Sequence, residues 1–299
     1  MIALRDVRKR FGSVPALEGI TAEVPDGAFV LLVGSNGAGK TTLLRCILGL
    51  LRFDGTITVG GHDVARDGRR ARALLGYVPQ RPALPADLTC TEVLDLFARL
   101  RGRARGDAAM LGRVGLEDAA RAPVRTLSGG MRQRLALAVA LQADPAVLLF
   151  DEPAASLDVA ARRALHRDLE DLAGRGRTVL LATHLAAEPL QIATRALVLH
   201  RGRVAYDGPP EGLGGAVQQR VVFSVNGVGR AELTAVLTAL PGVRVAQTPG
   251  SVTATTRAGG AFEVLAAVAA AGVRPVDVHV EEPTVDPEVL AEAGTVTPR

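Results

Sequence analysis

The feature that most constrains this chain is GSNGAGKTT, Gly34 to Thr42, set between an apolar run and a helical pattern. The run FVLLVG, from Phe29 to Gly34, is continuous enough for a buried strand, and TTLLRCILGLL begins on helical spacing at once. Strand, glycine-rich turn and helix form the context in which G-x-x-x-x-G-K-[ST] holds phosphate. Gly37 and Gly39 let the backbone wrap closely, so successive N–H groups and the helix N-terminus face phosphate oxygens. Lys40 is the point charge for β and γ phosphates, the Thr41 hydroxyl is the expected Mg²⁺ ligand, and Thr42 extends the cradle. The 35 basic residues divide into 33 arginines and 2 lysines, and one of the two lysines stands where arginine's planar fork would not substitute.

Two further segments carry chemistry. LLFDEP sets Asp151 and Glu152 at the end of a buried strand, where α/β sheets hold their ligands. Beside a phosphate site, one carboxylate can hold Mg²⁺ through water while its neighbour polarises the attacking water. In LSGGMRQR, Ser128 is suited to cap a helix beginning near Met131, and Gly129 and Gly130 leave backbone N–H groups unshielded. By spacing alone this is a second anion-binding helix terminus or an ordinary capped helix.

The length of 299 residues allows about two domains, and 48% hydrophobic with 22% charged residues excludes a disordered chain. Mean hydropathy is +0.22, but apolar runs such as LALAVAL fall short of the roughly 20 residues a membrane span needs. MIALRDVRKRF has no apolar stretch after its charges, so the expectation is a soluble cytoplasmic protein without a secretory signal. Cys46 and Cys90 exclude a disulfide scaffold, show no metal-ligand spacing, and read as structural. The net charge of +4 reflects an arginine-rich composition, and with only 3% aromatics the arginine clusters at 66–72 and 99–105 read as solvated faces. No nucleic-acid partner is expected.

FDGTITVGGHDV and RALVLHRGRVAYDG read as hairpins, and residues 85–143 are mostly helical in spacing. Gly and Pro accumulate between Gly208 and Ala216, which marks a domain boundary. Beyond it the order strand, helix, strand, strand, helix, strand is the split βαββαβ, ferredoxin-like arrangement. The expected division is 1–213, 217–282 and a C-terminal tail at 283–299, which could close with a short helix.

In order and spacing, these residues resemble the nucleotide-binding subunit of ATP-binding cassette (ABC) transporters over about Met1 to Leu213. Gly34, Ser35, Asn36, Gly37, Ala38, Gly39, Lys40, Thr41 and Thr42 look like the Walker A loop, and VLLFDEP looks like Walker B. LSGGMRQR matches the family's signature, with Ser128, Gly129, Gly130 and Gln133 implied as contacts to ATP bound by a partner cassette. GYVPQ gives Gln80 as the Q-loop glutamine at the Mg²⁺, ASLD gives Asp158 in the D-loop, and ATH gives His184 as the γ-phosphate contact. Phe11 takes the place of the aromatic that stacks on adenine, commonly tyrosine, and keeps the stacking face. Val159 stands where many relatives have proline.

The resemblance implies a P-loop α/β cassette with a parallel-sheet core, an antiparallel β subdomain and an α-helical signature subdomain. It implies an ATPase using ATP and Mg²⁺, with Glu152 as general base, His184 and Gln80 as catalytic contacts, and Thr41, Gln80 and Asp151 at the metal. Two cassettes would sandwich two nucleotides, as a homodimer or with a second cassette, and drive a separate integral-membrane permease from its cytoplasmic face. LTCTEVLDLFARLRG, LEDAARAPVRTLSGGMRQRLALAVAL and HRGRVAYDG resemble the daunorubicin-resistance-like drug and antibiotic exporters. The family's terminal acidic-aromatic pattern is altered here, with Pro287 and Val289 in EEPTVDPEVLAEAG. The alternative is a cytosolic ABC ATPase that acts as an assembly factor or regulatory switch. The transported substrate is not legible, because specificity in such systems lies chiefly in the membrane subunit.

Overall fold

The computed structural model describes residues 1–155, 157, 159–184, 189–225 and 229–292. The chain divides into two compact units, Met1–Thr183 with Ile192–Gly208, and His184–Gln191 with Pro209–Arg299.

The first unit opens with β1 (Ile2–Phe11) and β2 (Val14–Val24), an antiparallel pair joined by β4 (Asp54–Val59) and β5 (His62–Asp63) in a sheet of order β2-β1-β4-β5. The FDGTITVGGHDV segment is therefore a hairpin, as its pattern predicts. A second sheet contains β3 (Phe29–Val33), β6 (Leu75–Val78), β7 (Val147–Asp151), β8 (Thr178–Thr183), β9 (Arg195–His200) and β10 (Arg203–Gly208). Its order is β10-β9-β3-β8-β7-β6, parallel except for β10. The β9–β10 turn runs through Arg201 (φ 47°) and Gly202 (φ 76°), two consecutive left-handed residues that match the twist of a hairpin.

β3, β7 and β8 are buried at every position, so their sequences are continuously apolar instead of alternating. Phe150, fully buried in β7, contributes about 2–3 kcal/mol by removal from water. Among the helices, α1 (Lys40–Ile47) follows β3, and α2 (Gly68–Ala73) precedes β6. A helical region follows, with α3 (Cys90–Leu100), α4 (Ala109–Arg113) and α5 (Gly129–Leu141), then α6 (Val159–Gly174) after β7. α3 starts with a reciprocal capping box in which the Thr89 hydroxyl accepts from the Glu92 N–H and the Glu92 carboxylate accepts from the Thr89 N–H. Cys46 and Cys90 are free and buried, and burial pushes the Cys46 thiol up to about 11, which suits an inert structural role.

In the second unit β11 (Val217–Ser224), α7 (Arg230–Thr238), β12 (Arg244–Thr248), β13 (Ser251–Arg257), α8 (Ala261–Ala270) and β14 (Asp277–Val280) follow in the βαββαβ order. The sheet order is β12-β13-β11-β14, all antiparallel. Val221, Phe223, Val252 and Ala254 form its buried face, with Leu233 and Leu237 of α7 and Val264 and Val268 of α8 packed in the same core. The structure departs from the expected boundary at 282. β15 (Thr284–Val285) pairs with β11, and α9 (Pro287–Glu292) follows it, so residues at the start of the expected tail belong to the sheet. The Asp286 N–H donates to the Ala216 carbonyl at 2.7 Å, a long-range bond that strand periodicity could not reveal. Residues 293–299 of that tail lie outside the described residues.

Candidate active site

β3 ends at Val33, and the chain turns through Gly34–Gly39 before α1 begins at Lys40. The turn needs glycine at Gly39, where φ is 109° and an added Cβ would lie 2.7 Å from the Ala16 carbonyl oxygen. Gly39→Ala is therefore expected to cost about 1–3 kcal/mol and to weaken nucleotide binding. Thermal unfolding and nucleotide titration of the same sample would check both effects.

The loop closes around one cation. Lys40 Nζ donates to the carbonyl oxygens of Gly34 at 2.6 Å and Ser35 at 3.3 Å. It also pairs with Glu152 Oε1 at 3.1 Å, both side chains being under a tenth exposed. Glu152 follows the last residue of β7 in a left-handed conformation, φ 47°, fixed by its N–H donating to the Ala182 carbonyl at 2.8 Å. Such backbone is unfavourable for a glutamate and concentrates at functional sites.

Next to this pair, the Thr41 hydroxyl donates to Asp151 Oδ1 at 2.9 Å and the Tyr77 hydroxyl donates to Oδ2 at 3.3 Å. Burial raises the Asp151 carboxyl above its ordinary range, opposed by the Thr41 and Tyr77 hydrogen bonds, and the Glu152 charge adds to the rise. Burial raises the Tyr77 phenol, helped by the Asp151 charge, so Tyr77 is a neutral donor.

A raised carboxyl pKa fixes the sign of the pH response. The stability that goes with the protonated Asp151 is present below the ordinary aspartate value and lost as pH rises through the folded value. At neutral pH the buried carboxylate is thus a cost to the nucleotide-free protein. Asp151→Asn is expected to raise the melting temperature at pH 7–8, with the advantage shrinking near pH 4. Scanning calorimetry across that range checks it, and an equal shift at all pH values would contradict it.

Residues 35–42 line one cleft of about 180 Å³ together with Ala16, Gln80 and Glu152. Asn36 and Gly37 are open to solvent, while Ala38 is buried and its carbonyl accepts from the Gly202 N–H at 3.1 Å. Thr42 also lines the cleft. The donors that converge here (carboxylate, hydroxyl, amide and ammonium) fit a phosphate chain with Mg²⁺. That ion takes oxygen ligands from one or two carboxylates plus the phosphates themselves. Among the described residues no group of three or more His, Cys, Asp and Glu that could hold a metal ion converges.

Phe11 does not line this cleft. It ends β1, is 51% exposed, and has the Lys9 ammonium over one face of its ring, 5.2 Å from the centroid. His184 follows β8 directly and groups with residues 184–191 in the second unit. Asp158 lies outside the described residues.

The signature segment forms a capped helix. α5 begins at Gly129, two residues before the position its sequence suggested, and the Met131 N–H donates to the Ser128 hydroxyl at 3.2 Å. Ser128 and Gly129 are exposed and Gly130 is half-buried. Gln133 lies on the inner side of α5. It is 4% exposed and its Nε2 donates to the Pro79 carbonyl at 3.3 Å, so it ties the signature helix to the GYVPQ segment. Helical geometry accounts for this, since Gln133 lies four positions after Gly129 and α5 is buried around most of its circumference.

Tyr77 is the functional residue that motif reading missed. One signal was present, because the chain has only 2 tyrosines and this one lies in the GYVPQ segment at the end of a strand.

A glycine-rich loop closed on a lysine, with paired acids two strands away at the same sheet edge, defines a P-loop nucleoside triphosphatase. A family model described as ABC transporter matches residues 17–155. The daunorubicin resistance ATP-binding protein DrrA3 of Streptomyces coeruleorubidus is 37% identical over 306 aligned positions, covering 98% of this chain and 96% of that protein. The chain belongs to the ATP-binding subunits of ABC transporters, and the class of reaction is ATP hydrolysis. The Nod factor export ATP-binding protein I of Burkholderia lata is 41% identical over 218 positions, covering 71% of this chain and 72% of that protein. Among solved structures, an ATP-binding subunit of an ABC transporter aligns with TM-score 0.65 and 29% identity, over 71% of this chain and 91% of that one. A dimeric post-hydrolysis ATP-binding cassette bound to ADP and Pi aligns with TM-score 0.63 and 27% identity, over 70% of this chain and 99% of that one.

Proposed function

We propose that this subunit powers export of drugs, antibiotics or other hydrophobic compounds through a separate integral-membrane permease. The observation that carries the ATPase part is the joined constellation of Lys40, Glu152, Asp151 and Thr41 at the ends of β3 and β7. The exporter part is supported by likeness along nearly the whole chain, C-terminal unit included, to a protein named for daunorubicin resistance. Among the described residues no helix is long and apolar enough to cross a membrane, and the reading assigns the translocation path to a permease. The proposed location is the cytoplasmic face of the membrane.

In the proposed mechanism, the N–H groups of residues 35–42 hold phosphate oxygens and Lys40 faces the β and γ phosphates. Thr41, Gln80 and Asp151 would hold Mg²⁺, whose chemistry there would be to offset phosphate charge. Tyr77 and Thr41 hold the Asp151 carboxylate in position from opposite oxygens. Glu152 accepts a proton from the attacking water. Phe11 stacks on adenine, His184 contacts the γ-phosphate, and Asp158 lies in the D-loop. Ser128, Gly129 and Gly130 are exposed at a helix N-terminus, where they suit a nucleotide held by a second cassette. Gln133, one turn further along the same helix, completes the proposed set. The cassette would span 1–213, with 217–282 as a ferredoxin-like domain.

The test is a pull-down of the Glu152→Gln variant from native membranes with MgATP in mild detergent. Stoichiometric recovery of a polytopic permease is expected. Recovery of soluble proteins alone would favour the cytosolic ATPase instead.

A further inference from the structure

The turn between β9 and β10 carries a buried residue in an exposed setting. Arg201 and Arg203 face solvent, and Gly202 between them is buried. Its neighbours come from two segments far away in sequence, β2 and the phosphate loop. The Gly202 N–H donates to the Ala38 carbonyl at 3.1 Å, and the Gly202 carbonyl accepts from the Glu18 N–H at 2.8 Å. Arg203 reaches the same residue of β2, with Nε 3.1 Å and Nη2 2.6 Å from Glu18 Oε2.

The packing here admits glycine alone. Gly202 has φ 76°, and an added Cβ would lie 2.9 Å from the Ala16 carbonyl oxygen and 3.1 Å from its carbon. A Cβ on Gly39 would meet the same oxygen at 2.7 Å and the Gly202 Cα at 3.8 Å. Two glycines from separate elements thus close on one carbonyl, and Ala16 itself lines the cleft with residues 35–42. At the other end of the loop, a Cβ on Gly34 would lie 2.5 Å from the Leu199 carbonyl oxygen of β9. β9 and its turn therefore hold the phosphate loop where it starts and where it enters α1. Backbone packed on backbone has no rotamer that can yield, so a shift of the turn moves the loop.

We infer that Gly202 is a positioning residue for nucleotide binding, fastening the phosphate loop to β2. Gly202 does not line the cleft and acts through Ala38 and Ala16. Its work is preorganisation: a loop already fixed spends less of its contact energy on being ordered when phosphate binds. By linkage, bound nucleotide must strengthen the fastening in return. The inference rests on the reading of residues 34–42 as the nucleotide site and is independent of what is exported.

The experiment compares full-length Gly202→Ala with the unmodified protein and with Val59→Ala. Val59 is fully buried in β4 and does not line the cleft, so its truncation costs stability alone. Titrations with MgADP are run where denaturation curves show each protein folded. The dissociation constant is expected to rise about tenfold in Gly202→Ala and to stay within about twofold in Val59→Ala. The KM for MgATP should rise with it while kcat changes less than about threefold, as when ground and transition states lose the same binding. Unchanged affinity in Gly202→Ala would overturn the inference, and so would equal losses in both variants. Hydrogen exchange on the unmodified protein decides the matter even where Gly202→Ala does not fold. MgADP is expected to slow exchange of the Gly202 and Glu18 amides about tenfold, and unchanged rates at both would overturn the inference. Failure of the unmodified protein to bind MgADP would instead remove the nucleotide site beneath it.

Discussion

Glu152→Gln is expected to lower the ATPase turnover number by at least about a hundredfold while leaving ATP binding intact. Removing a general base costs about 10²–10⁴ in rate, so the variant loses at least about 2.7 kcal/mol of transition-state stabilisation. Glutamine keeps the shape and its Oε1 still accepts from Lys40, which sits 3.1 Å away, so the fold of the loop is retained. The backbone anchor is also unaffected, because the Glu152 N–H is what reaches the Ala182 carbonyl. The amide cannot take the proton of the attacking water. ATP should therefore persist in the site, and the protein should run as an ATP-dependent dimer in size-exclusion chromatography with light scattering. Single-turnover phosphate release is the direct measurement. A rate within about threefold of the unmodified protein would remove Glu152 from the role of base.

Lys40→Met is the second large effect, and it acts on binding. Methionine keeps most of the aliphatic stem and removes the ammonium that joins Gly34 and Ser35 carbonyls to the Glu152 carboxylate. The nucleotide dissociation constant is expected to rise about a hundredfold, equivalent to about 2.7 kcal/mol of lost charge-assisted contact. Stability falls as well, by about 3 kcal/mol, because breaking a buried pair from one side leaves the other charge poorly compensated. Lys40→Arg should not rescue binding, since the guanidinium is a planar fork in a space shaped around a compact cation. Calorimetric titration with MgATP and chemical denaturation separate the two consequences. Undiminished affinity in Lys40→Met would show that the loop backbone alone holds the phosphates.

Much of the site was legible before any fold was known, for reasons local to each segment. The phosphate loop is readable because its backbone needs glycine where φ is positive, as at Gly39, and a lysine at the first residue of the helix. Ser128 is readable because a helix start leaves orphan N–H groups that a hydroxyl satisfies within three residues. Asp151 and Glu152 are readable because they close an apolar strand downstream of a phosphate loop; alone, two acids at a strand end could equally cap a helix. The burial of Gln133 was not legible, because which side of a helix faces the core depends on what packs around it, and α5 is apolar on most sides. The β15 segment was read as tail because two residues carry no periodicity.

The sequence by itself determined the backbone conformations, the order of the elements and the chemical identities of the groups that meet the phosphates. Each of these rests on interactions within a few residues: a glycine torsion, a helix cap, the alternation or continuity of a strand. Only the tertiary structure decided which groups touch. Thr41 and Asp151 are 110 residues apart, and Tyr77 and Asp151 are 74 apart. They meet because the sheet order β3-β8-β7-β6 brings the ends of three separate strands to one edge. The same global pairing put β14 at the end of its sheet among the described residues, since strand partners are chosen by the burial of whole faces and not by any segment's own pattern.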